Sequence, residues 1–206
     1  MTGAARFSRL VKSGGVATDL KTKSVRGGVV ALVAECTDFA IRFGSVAVLA
    51  RLLVPEYFGL LSMVTAITTI AERFKDLGLS SATIQKKEIT HEQVSTLFWL
   101  NAGVGLAMML VVVGLAYPVS FFYSDARLIP ITAAIAISFP LSGMAVQHQA
   151  LLRREMKFAH LAGIQIGSNV LSLALAIIMA LKGFGYWALV AREVTRSVFM
   201  AAGTWL

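Results

Sequence analysis

The chain has 206 residues, 57% of them apolar and only 15% charged, with a net charge of +8, and its mean hydropathy is +0.75. A water-soluble domain carries about 45–50% apolar and about 25% charged residues, so this balance excludes one. The single cysteine, Cys36, excludes a disulfide scaffold. What remains is an all-α polytopic membrane protein, and the positions of the basic residues decide what the positive charge means.

A helix crossing the roughly 30 Å hydrocarbon layer needs about 20 mostly apolar residues. Residues 1–26 come before any such stretch; they hold Arg6, Arg9, Lys12, Lys21, Lys23 and Arg26 and no cleavable apolar core. They read as a basic cytoplasmic segment, in which 5–12 either lies as a short amphipathic helix on the membrane surface or stays a solvated tail. Six spans follow, over 27–206.

The first span, 27–53, contains Glu35, Asp38 and Arg42. Val54-Pro55-Glu56 fits a tight turn into the second, 57–74, with proline at the first helical position and an acid near the positive helix end. A hinged elbow, Leu77-Gly78-Leu79-Ser80-Ser81, leads to Thr90-His91-Glu92-Gln93, which has the spacing of a capping box. That box opens the third span, 94–117, which is free of charge. Ser124-Asp125 can cap the fourth, 128–149, and Pro140 should kink it by removing one backbone hydrogen bond. The fifth, 159–181, is uncharged; the sixth, 186–206, contains Arg192, Glu193 and Arg196. The apolar runs are continuous rather than alternating, which speaks against a barrel.

Lysine and arginine near span ends set orientation. With the N-terminus inside, the inner segments hold thirteen basic residues and the outer ones only Arg51, Arg127 and Lys182. The positive charge is therefore a topology signal that also attracts anionic membrane lipids; there is no soluble basic face for nucleic acid. Tyr57-Phe58, Phe121-Phe122-Tyr123 and Phe184 with Tyr186-Trp187 all fall at outer ends, where aromatic rings favour the headgroup layer. The short connections leave no room for a soluble catalytic domain. His91, His148 and His160 have no metal-ligand spacing, and no Gly-rich phosphate loop is present. Neither a metal, a cofactor nor an enzymatic activity is expected.

The charges within spans stand out. Glu35, Asp38 and Arg42 would cost on the order of 8–10 kcal/mol if each faced lipid alone. Their i, i+3, i+7 spacing puts them along one helical face, and Asp38 and Arg42 can pair. Such a stripe should face a bundle interior or a watery cavity. Arg192 and Arg196 lie on one face of the sixth span and repel, so an anionic partner from another helix or a ligand is expected. A purely structural pairing of helices is the competing reading. Asn101, Gln147, Gln165 and Asn169 suit interhelical hydrogen bonds.

A series of motifs extends this picture. Ala50-Arg51-Leu52-Leu53-Val54-Pro55-Glu56-Tyr57-Phe58-Gly59 is followed by Asp76-Leu77-Gly78-Leu79-Ser80-Ser81-Ala82-Thr83-Ile84-Gln85. Then come Thr96-Leu97-Phe98-Trp99-Leu100-Asn101 and Gln147-His148-Gln149-Ala150-Leu151-Leu152-Arg153-Arg154. From roughly Lys23 onward the chain resembles the Wzx-type flippases of the polysaccharide transporter family, in the branch of the colanic acid exporters. That family shares a superfamily with the multidrug and toxin extruders (MATE) and the peptidoglycan precursor flippase MurJ.

The resemblance implies two helical lobes around a central cavity and a multi-pass protein of the bacterial inner membrane. Its cargo would be an undecaprenyl-pyrophosphate-linked oligosaccharide for lipopolysaccharide or exopolysaccharide synthesis, flipped by alternating access. A polymerase and glycosyltransferases of the same pathway would be its partners. On charge placement, Arg42, Arg192 and Arg196 are the candidate substrate-binding cations, with Glu35 and Asp38 as candidate coupling-ion groups. Family members carry about twelve or more helices, so six would make one lobe, expected of a truncated gene or fragment, with a self-assembling half-transporter as the other explanation. A multidrug/cation antiporter of the same superfamily and an inactive transporter fragment are the alternatives.

Overall fold

The computed structural model describes residue 28 and residues 32–75, 91–155 and 157–205. The basic N-terminal segment, the Leu77-Gly78 elbow and the Thr90 end of the capping box lie outside the described residues. Among the described residues seven helical elements follow one another: α1 (residues 32–52), α2 (Pro55–Lys75), α3 (His91–Tyr123), α4 (Leu128–Ala136), α5 (Ser138–Arg154), α6 (Phe158–Leu181) and α7 (Trp187–Trp205). Among the described residues there is no strand. Three stretches, Thr96–Tyr123, Leu128–Arg153 and Phe158–Leu181, are long and apolar enough to cross a membrane. The protein is an all-α polytopic membrane protein. Exposed Leu106, Leu110, Val111 and Phe121 give α3 an apolar outer face, as contact with lipid requires.

The prolines act in three different ways. Pro55 starts α2, with Glu56 in its first turn. Pro140 has no N–H to offer the carbonyl of Ala136, and the fourth span divides there: α4 ends, Ile137 makes a tighter turn to the Ala134 carbonyl (3.3 Å), and α5 begins at Ser138. Pro118 does not end its helix. The sequence places the end of the third span at Tyr117, yet α3 runs through Pro118 to Tyr123. In apolar surroundings freed backbone groups find no water, so continuing the helix is the less costly course.

At its end Ser124 takes a left-handed φ of 54°. Asp125 then donates its backbone N–H to the Ser120 carbonyl (3.1 Å) and Ser124 to that of Phe121 (3.3 Å), the paired bonds of a Schellman stop. Asp125 caps the following turn by accepting the Arg127 backbone N–H at 2.9 Å.

Packing begins where backbones meet. A Cβ on Gly105 would come within 2.7 Å of the Phe139 carbonyl oxygen, and one on Gly143 within 2.5 Å of the Asn101 carbonyl oxygen. The two glycines thus let α3 and α5 cross almost backbone to backbone, the close approach that drives helix association in lipid. Next to this crossing, Leu60 and Val64 of α2 pack with Val119 of α3, Leu128, Ile131 and Ile135 of α4, and Val190 of α7. A second cluster joins Leu49 of α1 and Leu53 just past its end to Ala176 and Ala180 of α6 and to Ala188 and Leu189 of α7. On α1 the buried positions are 38, 45 and 49, a narrow stripe at helical spacing that fits along the pair formed by α6 and α7.

One ion-pair network ties the helix ends. Arg127 donates to Glu56 at 2.7 Å and to both oxygens of Asp125, the nearest at 2.7 Å. The side-chain and backbone hydrogen bonds of Arg127 hold the Asp125 carboxyl below its usual 3.8, and the bonds to Asp125 and then Glu56 raise Arg127 in turn. A carboxyl lowered on folding stabilises the fold above its unfolded value and loses that effect as the pH falls through its folded one. Exposure and salt keep the effect small. Beside this network, the Tyr57 and Tyr186 rings meet edge to face at 6.0 Å, and Gly185, at φ 58°, leaves room for Tyr57.

Candidate functional site

Asp38 is the one carboxylate that the described helices bury: its residue is 3% exposed. Its position on the α1 stripe turns it toward α6, where the Asn169 side-chain amide donates to its Oδ1. Arg42, one turn along α1, closes the other side with Nε 2.7 Å from Oδ2, so the i, i+4 pair expected from the sequence forms. Both carboxylate oxygens are engaged, which a buried charge requires. Asn169 sits near the middle of α6, so this contact lies deep in the bundle. The remaining oxygen of that amide, Oδ1, is buried and has no partner among the described residues.

The two ends of the Asp38–Arg42 pair differ sharply. The Asp38 side chain is 4% exposed and that of Arg42 is 49% exposed; the pair is buried at its anion and open at its cation. A third residue extends the seam. Ser45 donates its hydroxyl to the Arg42 backbone carbonyl at 2.6 Å and accepts a bond of 2.6 Å from Nη2 of Arg192 on α7. Arg192 thereby joins α7 to α1 close to Arg42, and its charge is felt together with those of Arg42, Glu193 and Arg196. Arg196 has Glu193 of its own helix at 3.7 Å.

The structure brings together some of the expected site residues and separates others. Asp38, Arg42 and Arg192 share one polar seam of α1, α6 and α7. Arg196 lies a turn further along α7, on the same side as Arg192. Glu35 is exposed and makes no hydrogen bond or ion pair with a described residue; it flanks the seam without joining it. The anionic partner expected for Arg192 from another helix is replaced by a neutral one, Ser45. Ser45 carried no signal beyond its place on the Asp38–Leu49 stripe, where a small hydroxyl residue is the one that admits a guanidinium. Asn169 was legible as an interhelical donor, but not as the ligand of Asp38.

Chemically, the seam offers two guanidinium groups near each other with a single buried carboxylate between the helices. That is a surplus of positive charge inside an apolar bundle, able to take an anion at a depth where water is scarce. The fold and the seam define an integral membrane protein with charged side chains buried within its helical bundle.

The chain belongs to the polysaccharide biosynthesis protein family, whose model matches residues 48–206. The matched region includes Asn169, Arg192 and Arg196 and begins after Glu35, Asp38 and Arg42. The chain is 30% identical over 162 residues to an uncharacterised membrane protein in the cps region of Klebsiella pneumoniae, covering 79% of the chain and 33% of that protein. It is 26% identical to the lipopolysaccharide biosynthesis protein WzxC of Escherichia coli K12, over 78% of the chain and 33% of WzxC. It is 27% identical to the succinoglycan biosynthesis transport protein ExoT of Rhizobium meliloti, over 84% of the chain and 35% of ExoT. The chain thus spans about a third of the length of these relatives. No solved structure matches it.

Proposed function

We propose that the protein carries a lipid-linked oligosaccharide, joined through a pyrophosphate to a polyprenyl chain, across the bacterial inner membrane. Its N-terminus is on the cytoplasmic side, and its six spans form one lobe of a two-lobed, alternating-access transporter. Family membership supports the saccharide, since relatives are named for lipopolysaccharide synthesis and succinoglycan transport. The seam supports the pyrophosphate, and one observation carries it: Arg192 is held beside Arg42 by a neutral hydroxyl, not a carboxylate. Asp38 neutralises Arg42 while Arg192 rests on a hydroxyl, so the two cations together have positive charge left for a ligand, and a pyrophosphate between a lipid and a sugar supplies two negative charges in one compact group. Arg42, Arg192 and Arg196 are the substrate-facing cations. Asp38 is the coupling-ion group of choice, because it is the buried acid and Arg42 touches it; Glu35 is second to it.

The test is export in cells that depend on this transporter. Arg42→Ala and Arg192→Ala are expected to lower surface polysaccharide at least tenfold, with lipid-linked repeat units accumulating on the inner face, and Arg196→Ala less so. Protein levels in the membrane should stay at wild type. Normal export from all three variants would remove the arginines from the cargo path.

A further inference from the structure

We propose that Asp38 and a phosphate of the cargo compete for Arg42, so that loading an anion onto Arg42 loads a proton onto Asp38. The exchange rests on the reading of the seam as an anion path, and it names the way cargo and proton are linked.

The asymmetry of the pair is the starting point. Arg42 is half exposed while Asp38 is almost fully buried. An incoming anion therefore reaches the guanidinium from its open side without first entering the bundle. Arg42 holds Asp38 through Nε at 2.7 Å; a phosphate that takes the Nε edge of the guanidinium displaces the carboxylate from it. Drawing Arg42 away leaves a carboxylate buried with one amide donor. An unpaired charge in that position is strongly disfavoured, and taking up a proton from water removes it. The balance is simple: the ion pair opens, the guanidinium goes to the phosphate, and one proton adds to a carboxylate oxygen.

Around Asp38, α1 supplies Arg42, which pairs with it, and the exposed Glu35. From the middle of α6 comes the neutral Asn169. On α7, Arg192 reaches Ser45 of α1 and Glu193 pairs with Arg196. A phosphate that takes Arg42 therefore leaves Asp38 with the Asn169 amide as its partner.

Asn169 is suited to both states. Its Nδ2 donates to the carboxylate, and its buried Oδ1 has no partner among the described residues. Rotation of the amide by half a turn would present that oxygen as acceptor to a protonated Asp38. Asn169 is thus a positioning residue that either form of Asp38 can use. Reciprocity then requires that a proton on Asp38 tighten the anion site as much as the anion favours the proton.

The experiment uses the full chain in lipid nanodiscs and, as probe, farnesyl-pyrophosphoryl-N-acetylglucosamine, whose pyrophosphate diester has no group titrating near neutral pH. Calorimetry in two buffers of different ionisation enthalpy counts protons taken up on binding. Wild type is expected to take up a fraction of a proton, approaching one at higher pH, and to bind more weakly as the pH rises. Asp38→Asn is expected to bind about tenfold more tightly at neutral pH and to lose that share of the uptake. Should Asp38→Asn fail to fold, difference infrared spectroscopy of wild type reads the same event as a carboxylic-acid band that grows on adding probe.

Equal affinity and equal uptake in wild type and Asp38→Asn, or no new carboxylic-acid band, would overturn the exchange while leaving the anion site standing. Failure of both proteins to bind the probe would overturn the anion site itself, and the exchange with it.

Discussion

Gly143→Val is expected to prevent the bundle from assembling. The reason is the nature of the obstacle. A Cβ at position 143 would stand 2.5 Å from the backbone carbonyl oxygen of Asn101, with the Asn101 carbonyl carbon at 3.3 Å and the Ala102 Cα at 3.6 Å. These are backbone atoms of a long helix, so no side chain can swing aside; α3 and α5 must separate. Overpacking a well-filled core costs about 1–3 kcal/mol where neighbours can yield, and here a β-branched side chain meets neighbours that cannot.

The separation would also open the reciprocal contact at Gly105 and expose Phe139, now 1% exposed. Thermal unfolding in detergent should show Gly143→Val lost or melting far below wild type, with Gly143→Ala intermediate. Gly103→Ala is the control: nothing lies within 4 Å of its added carbon, and it should melt at or above wild type.

The second large effect concerns Asn169. Asn169→Leu removes the donor to a carboxylate oxygen in a place water does not reach, and a hydrogen bond to a charged group is worth about 1.5–3 kcal/mol. Most of the loss would come from the stranded carboxylate and not from the missing amide. Asp38→Leu combined with Asn169→Leu should therefore recover much of the stability that Asn169→Leu alone loses, because no buried charge remains to strand. A double-mutant cycle on unfolding midpoints is expected to give a coupling of about 2 kcal/mol. Additive losses would mean that the two side chains do not depend on each other. Export should fail in both variants that lack Asp38, the double variant included, since recovered stability does not restore the buried carboxylate.

How much of this was legible in the sequence follows from how far each signal reaches. Helices, their polar punctuation and the break at Pro140 are local matters, and they appear where hydropathy and proline place them. The end of the third span is the exception: hydropathy stops it at Tyr117, yet the helix continues through Pro118 to Tyr123 in a solvent that offers no hydrogen bonds. The Asp38–Arg42 pair is also local, four residues apart, and it forms. What the sequence could not supply is the partner from a distant helix. Ser45 meets Arg192 and Asp38 meets Asn169 across more than a hundred residues, and pattern along one helix does not say which neighbour faces it.

Glu35 marks the same limit from the other side. It shares a face with Asp38 by spacing, but the contact stripe is narrow enough that a residue about 60° away from Asp38 around the helix falls outside it. The reciprocal glycines, 105 and 143, belong to this class too; each is an ordinary residue of an apolar run until the crossing shows why only a hydrogen fits.

The central claim is that the open side of Arg42 faces an aqueous path and not lipid, and thiol accessibility tests it most directly. In a Cys36→Ser background, single cysteines are placed at Arg42 and, as lipid-facing references, at Phe39 and Phe43, whose rings stack at 6.4 Å on the outer side of α1 and are 70% and 72% exposed. A charged, membrane-impermeant thiosulfonate is then applied to the full chain in membranes from each side in turn. The account predicts rapid modification of Arg42→Cys from at least one side, slowed by a lipid-linked sugar pyrophosphate, with Phe39→Cys and Phe43→Cys left unmodified. Modification of the two phenylalanine positions with Arg42→Cys untouched from both sides would contradict it.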